Sequence, residues 1–187
     1  MNNKLDSYIQ KIENFKPVKE EEEIIFNTIN KLNSHLNLCR DIVFVCTHNS
    51  RRSIYCEVWG KIIANKYSKN INFYSAGTKK TSVYGEVIKS FSRLGIKSKG
   101  NIIQYKEKSI LLKSKTLEEI QLDKFICIFT CSKAERSCPI DTRSIVNIPL
   151  LFDDPKKFDG LKNERIEYQK TCSQIAEKIN FILKRIN

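Results

Sequence analysis

The sequence predicts an α/β fold: a four-stranded parallel sheet flanked by helices. Three observations carry this expectation. The runs Ile42–Cys46 and Phe125–Phe129 are continuously apolar, as strands buried on both faces must be. Each run breaks into polar residues that favour loops and caps. Stretches with helical spacing lie between the strand-like runs, so the two element types alternate along the chain.

Residues 1–16 carry Leu5, Ile9 and Ile12 at helical spacing, and Pro17 interrupts them. Glu20 to Glu23 suit the first turn of a second helix, where negative charge meets the positive end of the dipole. Ile24, Ile25, Ile29, Leu32 and Leu36 then form one apolar stripe. Two helices therefore precede the sheet, to pack on it, cap it or form a dimer. His35 falls on the surface of the second helix or is partly packed.

The first strand ends in Cys46-Thr-His-Asn-Ser-Arg-Arg-Ser53. From Ser53 onward Ile54, Val58, Ile62 and Ile63 share a helical face, with Cys56 and Trp59 in the core or on its flank. The polar loop thus joins the carboxyl end of a strand to the amino end of a helix, where open α/β sheets bind ligands. Ile71–Gly77 is the second strand and its turn; Tyr84–Leu94 is a helix closed by Gly95. Residues 101–112 predict a hairpin, with strands Asn101–Tyr105 and Ser109–Leu112, and Leu117–Leu122 a short helix. Phe125–Phe129 is the third strand, Ser144–Ile148 the fourth, ended by Pro149. Glu164–Ile186 is the closing helix, with Ile166, Ile175, Ile179 and Ile182 inward.

The loop after the first strand carries chemistry. Its amides, Thr47 to Arg52, form a cradle for an anion at a helix amino end. Arg52 adds a planar fork that matches a tetrahedral oxyanion. A cysteine beside a helix amino end, an arginine and the Ser53 hydroxyl favours its thiolate form, and a thiolate inside such a cradle attacks the central atom of the anion. The plain alternative is a buried structural cysteine with a solvated arginine. Cys131 ends the third strand, at the same sheet edge as Cys46, and Cys138 follows seven residues later across a mobile loop or short helix. Two unrelated thiols is the competing reading of that pair. Cys39, Cys127 and Cys172 lack such a context, and Cys127 reads as core. Phe152-Asp-Asp154-Pro155 lies on a loop, where an aspartate near an oxyanion can hold a proton and act as a general acid. An ordinary Asx turn is its bland alternative.

The string Cys46–Ser53 resembles the phosphate-binding loop of the low-molecular-weight protein tyrosine phosphatase superfamily, which includes the thioredoxin-coupled arsenate reductases. There the loop most often reads C-T-G-N-S-C-R-S, so His48 stands for the glycine and Arg51 for a second cysteine, adding positive charge at the mouth. Tyr74-Ser-Ala-Gly77 resembles another superfamily segment, and Cys131, Cys138 and the F-D-D-P string resemble the reductases in particular. The resemblance covers residues 40–187 and implies strand order 2-1-3-4, leaving 1–39 as an N-terminal helical extension. It implies arsenate reduction: Cys46 as nucleophile, Asp154 as proton donor, then a disulfide passed from Cys46–Cys131 to Cys131–Cys138 for thioredoxin to reduce. It also suggests a potassium ion at Asn49, Glu57 and Ser75, although no match is found for the remaining aspartate ligand. The alternative is a phosphatase, which needs Cys46, Arg52 and Asp154 but neither Cys131 nor Cys138. Lys156 and Lys157 stand where phosphatases carry tyrosine after D-P, which disfavours phosphotyrosine. A non-enzymatic phosphate-binding module is a third reading, opposed by the presence of nucleophile and acid together.

The chain has 187 residues and a net charge of +12, enough length for one domain with an appendage. The charge suits a small anion; no basic run interleaved with aromatics supports nucleic acid. No apolar stretch approaches a membrane span, and no signal-peptide core is present, so a cytoplasmic protein is expected. In that compartment seven cysteines are thiols rather than structural disulfides. No CxxC and only two histidines leave zinc unsupported.

Overall fold

The computed structural model describes residues 3–137 and 141–187. In chain order the elements are α1 (Asn3–Ile12), α2 (Lys19–His35), β1 (Asp41–Cys46), α3 (Arg52–Lys66), β2 (Asn72–Gly77), α4 (Gly85–Arg93), β3 (Lys97–Lys99), β4 (Ile102–Tyr105), β5 (Lys108–Leu111), β6 (Phe125–Phe129), α5 (Ser132–Ser137), β7 (Ser144–Pro149), a 3₁₀ turn (Pro155–Phe158) and α6 (Glu164–Leu183).

The main sheet is parallel throughout, in the order β2-β1-β6-β7. This is the expected 2-1-3-4 arrangement once the hairpin strands are set aside. The central strands are apolar because helices cover both faces: β6 is buried at all five positions, and β1 at every position after Asp41. Pro149 closes β7 at the sheet edge, where a missing N–H is tolerated. The register sets Cys46 beside Gly77 and Val45 beside Phe129, so the ends of three strands meet at one edge.

Helix α3 is buried on nearly every side, not on one face. It lies between the sheet and α6, so Tyr55, Cys56 and Trp59 are enclosed along with Ile54, Val58 and Ile62. Trp59 donates its indole N–H to Cys172 on α6 at 3.4 Å, and Tyr55 donates to Ser90 on α4 at 2.9 Å. Gly60 permits the close approach of β2, since a Cβ there would lie 2.6 Å from the Phe73 ring.

Helices α1 and α2 pack on α6, and α2 also reaches β7. Leu5, Ile9, Ile12, Ile25, Ile29, Leu32 and Leu36 join the same apolar cluster as Phe44, Trp59 and Ile175. The extension therefore shares the core of the sheet. Asn180 of α6 donates to the Ile12 carbonyl at 3.2 Å and closes the end of α1.

Four expectations need correction. Ile24 is exposed, and Thr28 takes its place in the buried stripe of α2. Ile166 is exposed as well. It precedes Ile175 by nine residues, two and a half helical turns, so the two point to opposite sides of α6. Tyr168, Thr171 and Cys172 form the inward face there. Leu117–Leu122 is a turn, not a helix. Thr116 bridges to Gly77 at the end of β2, and Arg143 donates to the Leu117 and Ile120 carbonyls. The hairpin is present as β4 and β5, but β3 adds a third antiparallel strand. That strand, Lys-Ser-Lys, is exposed throughout and has no apolar alternation to announce it.

Among the described residues, no helix is long and apolar enough to cross a membrane.

Candidate active site

The loop after β1 is shaped by what its carbonyl groups accept. The Cys46 oxygen accepts from the Thr78 N–H, Thr47 from Lys79, Ser50 from Tyr84 and Arg51 from Tyr55. The His48 oxygen accepts from the Thr81 and Ser114 hydroxyls at 2.9 and 3.0 Å. The Arg51 oxygen takes the first helical bond of α3, and the others are engaged from the flanks. In a trans peptide the N–H points away from the C=O, so the following amides turn toward the loop interior. The Asn49 N–H illustrates this, donating to Cys46 Sγ at 3.2 Å.

Asn49 holds the turn. Its φ is 46°, a left-handed conformation that asparagine tolerates better than most residues. Its Oδ1 accepts from the Lys115 N–H at 2.8 Å, and its Nδ2 donates to Ser53 Oγ at 2.9 Å. Because Ser53 accepts there, its own O–H is free to donate to Cys46 Sγ, 3.1 Å away. Cys46 sulfur thus lies within reach of an amide and a hydroxyl donor.

Gly77 buttresses the loop from β2. A Cβ at this position would sit 2.8 Å from the Asn49 nitrogen, 2.8 Å from the Lys79 oxygen and 3.0 Å from the His48 carbonyl carbon. All three are backbone atoms that cannot swing aside. Gly77→Ala is therefore expected to push the cradle off Cys46 and lower turnover on the order of 10²-fold. Steady-state kinetics on the folded variant would check this; a wild-type rate would show that the loop yields without consequence.

Arg52 opens α3 and donates Nη1 to the Phe152 carbonyl at 3.1 Å and Nη2 to Asp154 at 2.6 Å. The F-D-D-P loop is thereby brought onto the Cys46 loop from a hundred residues away. Asp154 Oδ1 also accepts from the Lys156 N–H at 3.1 Å, capping the 3₁₀ turn.

Arg51 departs from expectation. It does not present a free charge at the mouth: Nη2 is paired with Asp159, Nε donates to the Tyr168 hydroxyl, and the guanidinium lies over the Tyr84 ring at 4.2 Å. Asp159 partly offsets its charge, and the two tyrosines cover it. Tyr168 also donates to Asp159 at 2.5 Å. Burial, then the hydrogen bond to Asp159, pushes this phenol far above its ordinary value, so it remains a donor. Tyr84 donates to Glu164, a bond that, with partial burial, lifts it to about 12. His48 is half-buried at the mouth. Burial, then the Lys156 and Arg51 charges, holds its imidazole below the ordinary value, so it is neutral at pH 7.

Cys131 ends the chain segment after β6, and its sulfur lies 3.5 Å from Thr47 Oγ1, the residue next to Cys46. It also accepts from the Ala134 N–H at 3.4 Å. Cys46 and Cys131 belong to one small apolar cluster at this sheet edge. Residues 132–137 form the short helix α5, and Cys138 lies outside the described residues. The six described cysteines are all buried thiols. Burial pushes the Cys56 thiol well up and Cys172 up to about 12, which marks both as inert core residues.

Two of the three suggested potassium ligands, Glu57 and Ser75, are in contact. Glu57 already has the Lys61 ammonium as counter-charge and accepts from Ser75. The Asn49 amide is turned to Ser53 and Lys115 instead. No group of three or more His, Cys, Asp or Glu residues suits a metal among the described residues.

The sequence reading missed Asp159, Tyr84, Tyr168, Ser114 and Lys115 as parts of this site. The tyrosines sit at positions that read as helix packing, and Asp159 and Lys115 carry no local motif.

No family model matches the chain. It is 30% identical over 141 residues to an arsenate reductase of Bacillus cereus (strain AH187), covering 75% of this chain and 91% of that protein. An arsenate reductase solved in its oxidized state shares the fold with a TM-score of 0.56 and 22% identity, over 79% of this chain and 99% of its own. A low molecular weight protein tyrosine phosphatase from T. tengcongensis does so with a TM-score of 0.54 and 17% identity, over 78% and 99%. The parallel sheet, the C-x5-R-S loop at its edge and the match to the Bacillus protein agree: the chain belongs to the arsenate reductase family built on the low-molecular-weight phosphatase fold, and it is an enzyme.

Proposed function

We propose that this enzyme reduces arsenate to arsenite through three thiols. The observation that carries the proposal is the seat of Cys131, whose sulfur touches Thr47 in the loop that holds the nucleophile. A phosphatase has no use for a second thiol there.

Arsenate binds in the cradle of Thr47 to Arg52, with the guanidinium of Arg52 on its oxygens. Cys46 thiolate attacks arsenic, and one oxygen leaves as water with the proton of Asp154. Asp154 pairs with Arg52, which places its carboxyl beside the guanidinium that takes the anion. Cys131, as thiolate, then attacks Cys46 sulfur. The S–As bond breaks, its electron pair reduces As(V) to As(III), and arsenite departs from a Cys46–Cys131 disulfide. Cys138 thiolate next attacks Cys131 sulfur, restoring Cys46 thiolate and leaving a Cys131–Cys138 disulfide. A dithiol reductant of the thioredoxin kind supplies two electrons to complete the cycle. No step requires potassium.

Arsenate-dependent NADPH oxidation with thioredoxin and thioredoxin reductase tests this scheme. Wild type is expected to turn over, and Cys138→Ser to stop after about one turnover per chain, with the disulfide held at Cys46–Cys131. No arsenite from wild type, with hydrolysis of aryl phosphates intact, would sink the reductase reading. The chain would then be a phosphomonoesterase acting through a phosphocysteine on the same Cys46, Arg52 and Asp154.

A further inference from the structure

Two consecutive arginines hold one short segment at its two ends. Arg52 pairs with Asp154 at the start of the 3₁₀ turn Pro155–Phe158, and Arg51 pairs with Asp159 at its end. The two attachments differ in kind. The Asp154 side chain is 44% exposed, and its partner Arg52 is the residue that must take the oxyanion. Asp159 is more enclosed, at 26% exposure, and both its oxygens are engaged, one by Tyr168 and the other by Arg51. Arg51 is itself fixed by Tyr168, the Tyr84 ring and Ser50. The next residue, Gly160, donates its N–H to Glu164, which also holds Tyr84.

An oxyanion on Arg52 competes with the first attachment. One guanidinium edge cannot serve Asp154 and a tetrahedral dianion equally, so the ion pair at Asp154 weakens as the ligand binds. The attachment at Asp159 uses the Arg51 and Tyr168 side chains and not the cradle amides, so it persists. We propose that Arg51 and Asp159 form a clasp that keeps the acid-bearing segment 154–159 on the phosphate loop while Arg52 serves the substrate. Both are positioning residues: they act through Asp154 and touch no reacting atom. The inference rests on the reading of Asp154 as the proton donor. It also gives a reason for arginine at position 51, where a cysteine could not span to Asp159.

Hydrogen exchange followed by mass spectrometry tests the clasp without requiring turnover. In wild type, saturating orthophosphate is expected to leave exchange of the amides in 154–160 unchanged within about twofold. In Asp159→Asn, phosphate is expected to speed exchange there by roughly tenfold, with the rest of the chain unaffected. Arg51→Gln should behave alike and serves as the second variant if Asp159→Asn folds poorly. Equal protection in wild type and both variants with phosphate bound would overturn the clasp.

A kinetic readout separates positioning from general damage. Phenyl phosphate has a poor leaving group that needs the proton, and 4-nitrophenyl phosphate a good one that needs it less. Asp159→Asn is expected to lower kcat on the first by about tenfold, on the second by less than about threefold, with KM little changed. Equal losses on both esters would argue against the clasp. If wild type binds phosphate but hydrolyses neither ester, the acid role of Asp154 falls, while the exchange result still decides whether the clasp exists.

Discussion

Cys131→Ser is expected to abolish arsenite release while aryl phosphate hydrolysis stays within about threefold of wild type. The reason is local. Cys131 is buried in a small apolar cluster, with Thr47 and the Ala134 N–H on its sulfur. Serine fits the same space and keeps both hydrogen bonds, so the loop is not disturbed. Its oxygen cannot form a disulfide, so the arsenic adduct on Cys46 has no thiol to displace it. Hydrolysis needs only the cradle, Arg52 and Asp154. The measurement is arsenite production and 4-nitrophenyl phosphate hydrolysis on the same preparation. Arsenite release at the wild-type rate would remove Cys131 from the cascade. A parallel collapse of hydrolysis would make it a structural support of the loop.

Cys46→Ser has the larger effect, because both chemistries begin at that sulfur. Turnover of arsenate and of any phosphomonoester is expected to fall at least about 10³-fold. Binding should survive. The amides of the loop are aimed by their flanking carbonyl contacts, and those contacts do not involve the Cys46 side chain. Arg52 is likewise untouched. Phosphate titrated into the variant by calorimetry should bind within about fivefold of wild type. Loss of binding together with turnover would mean that the sulfur shapes the cradle as well as acting in it. Retained turnover would place the nucleophile elsewhere.

Much of this molecule was legible in local pattern. Ile42–Cys46 and Phe125–Phe129 read as doubly buried strands, and they are the two central strands of the sheet. A strand–loop–helix junction fixes where a ligand sits, so Cys46, Arg52 and Ser53 could be placed together from six or seven residues of spacing. The Asp154–Pro155 pair, singled out by its resemblance, lies on the loop that Arg52 reaches. The failures have a common form. Leu117–Leu122 has helical spacing, yet Arg143 and Gly77 draw its backbone into a turn. Ile166 is apolar, yet it lies on the solvent side of α6, half a turn out of phase with Ile175.

By itself, the sequence determined the parallel α/β architecture and the strand–loop–helix junction that brings Cys46 and Ser53 together, since each depends on residues close together in the chain. Only the tertiary structure decided what Arg51 does. From the sequence it was one more positive charge; in the fold it meets Asp159 from 108 residues away and Tyr168 from 117. The same holds for the contact of Cys131 with Thr47, made across 84 residues. Periodicity reports the burial of apolar side chains, which repeats along an element. The pairing of polar groups is set by which elements the fold brings together, and no local pattern encodes it.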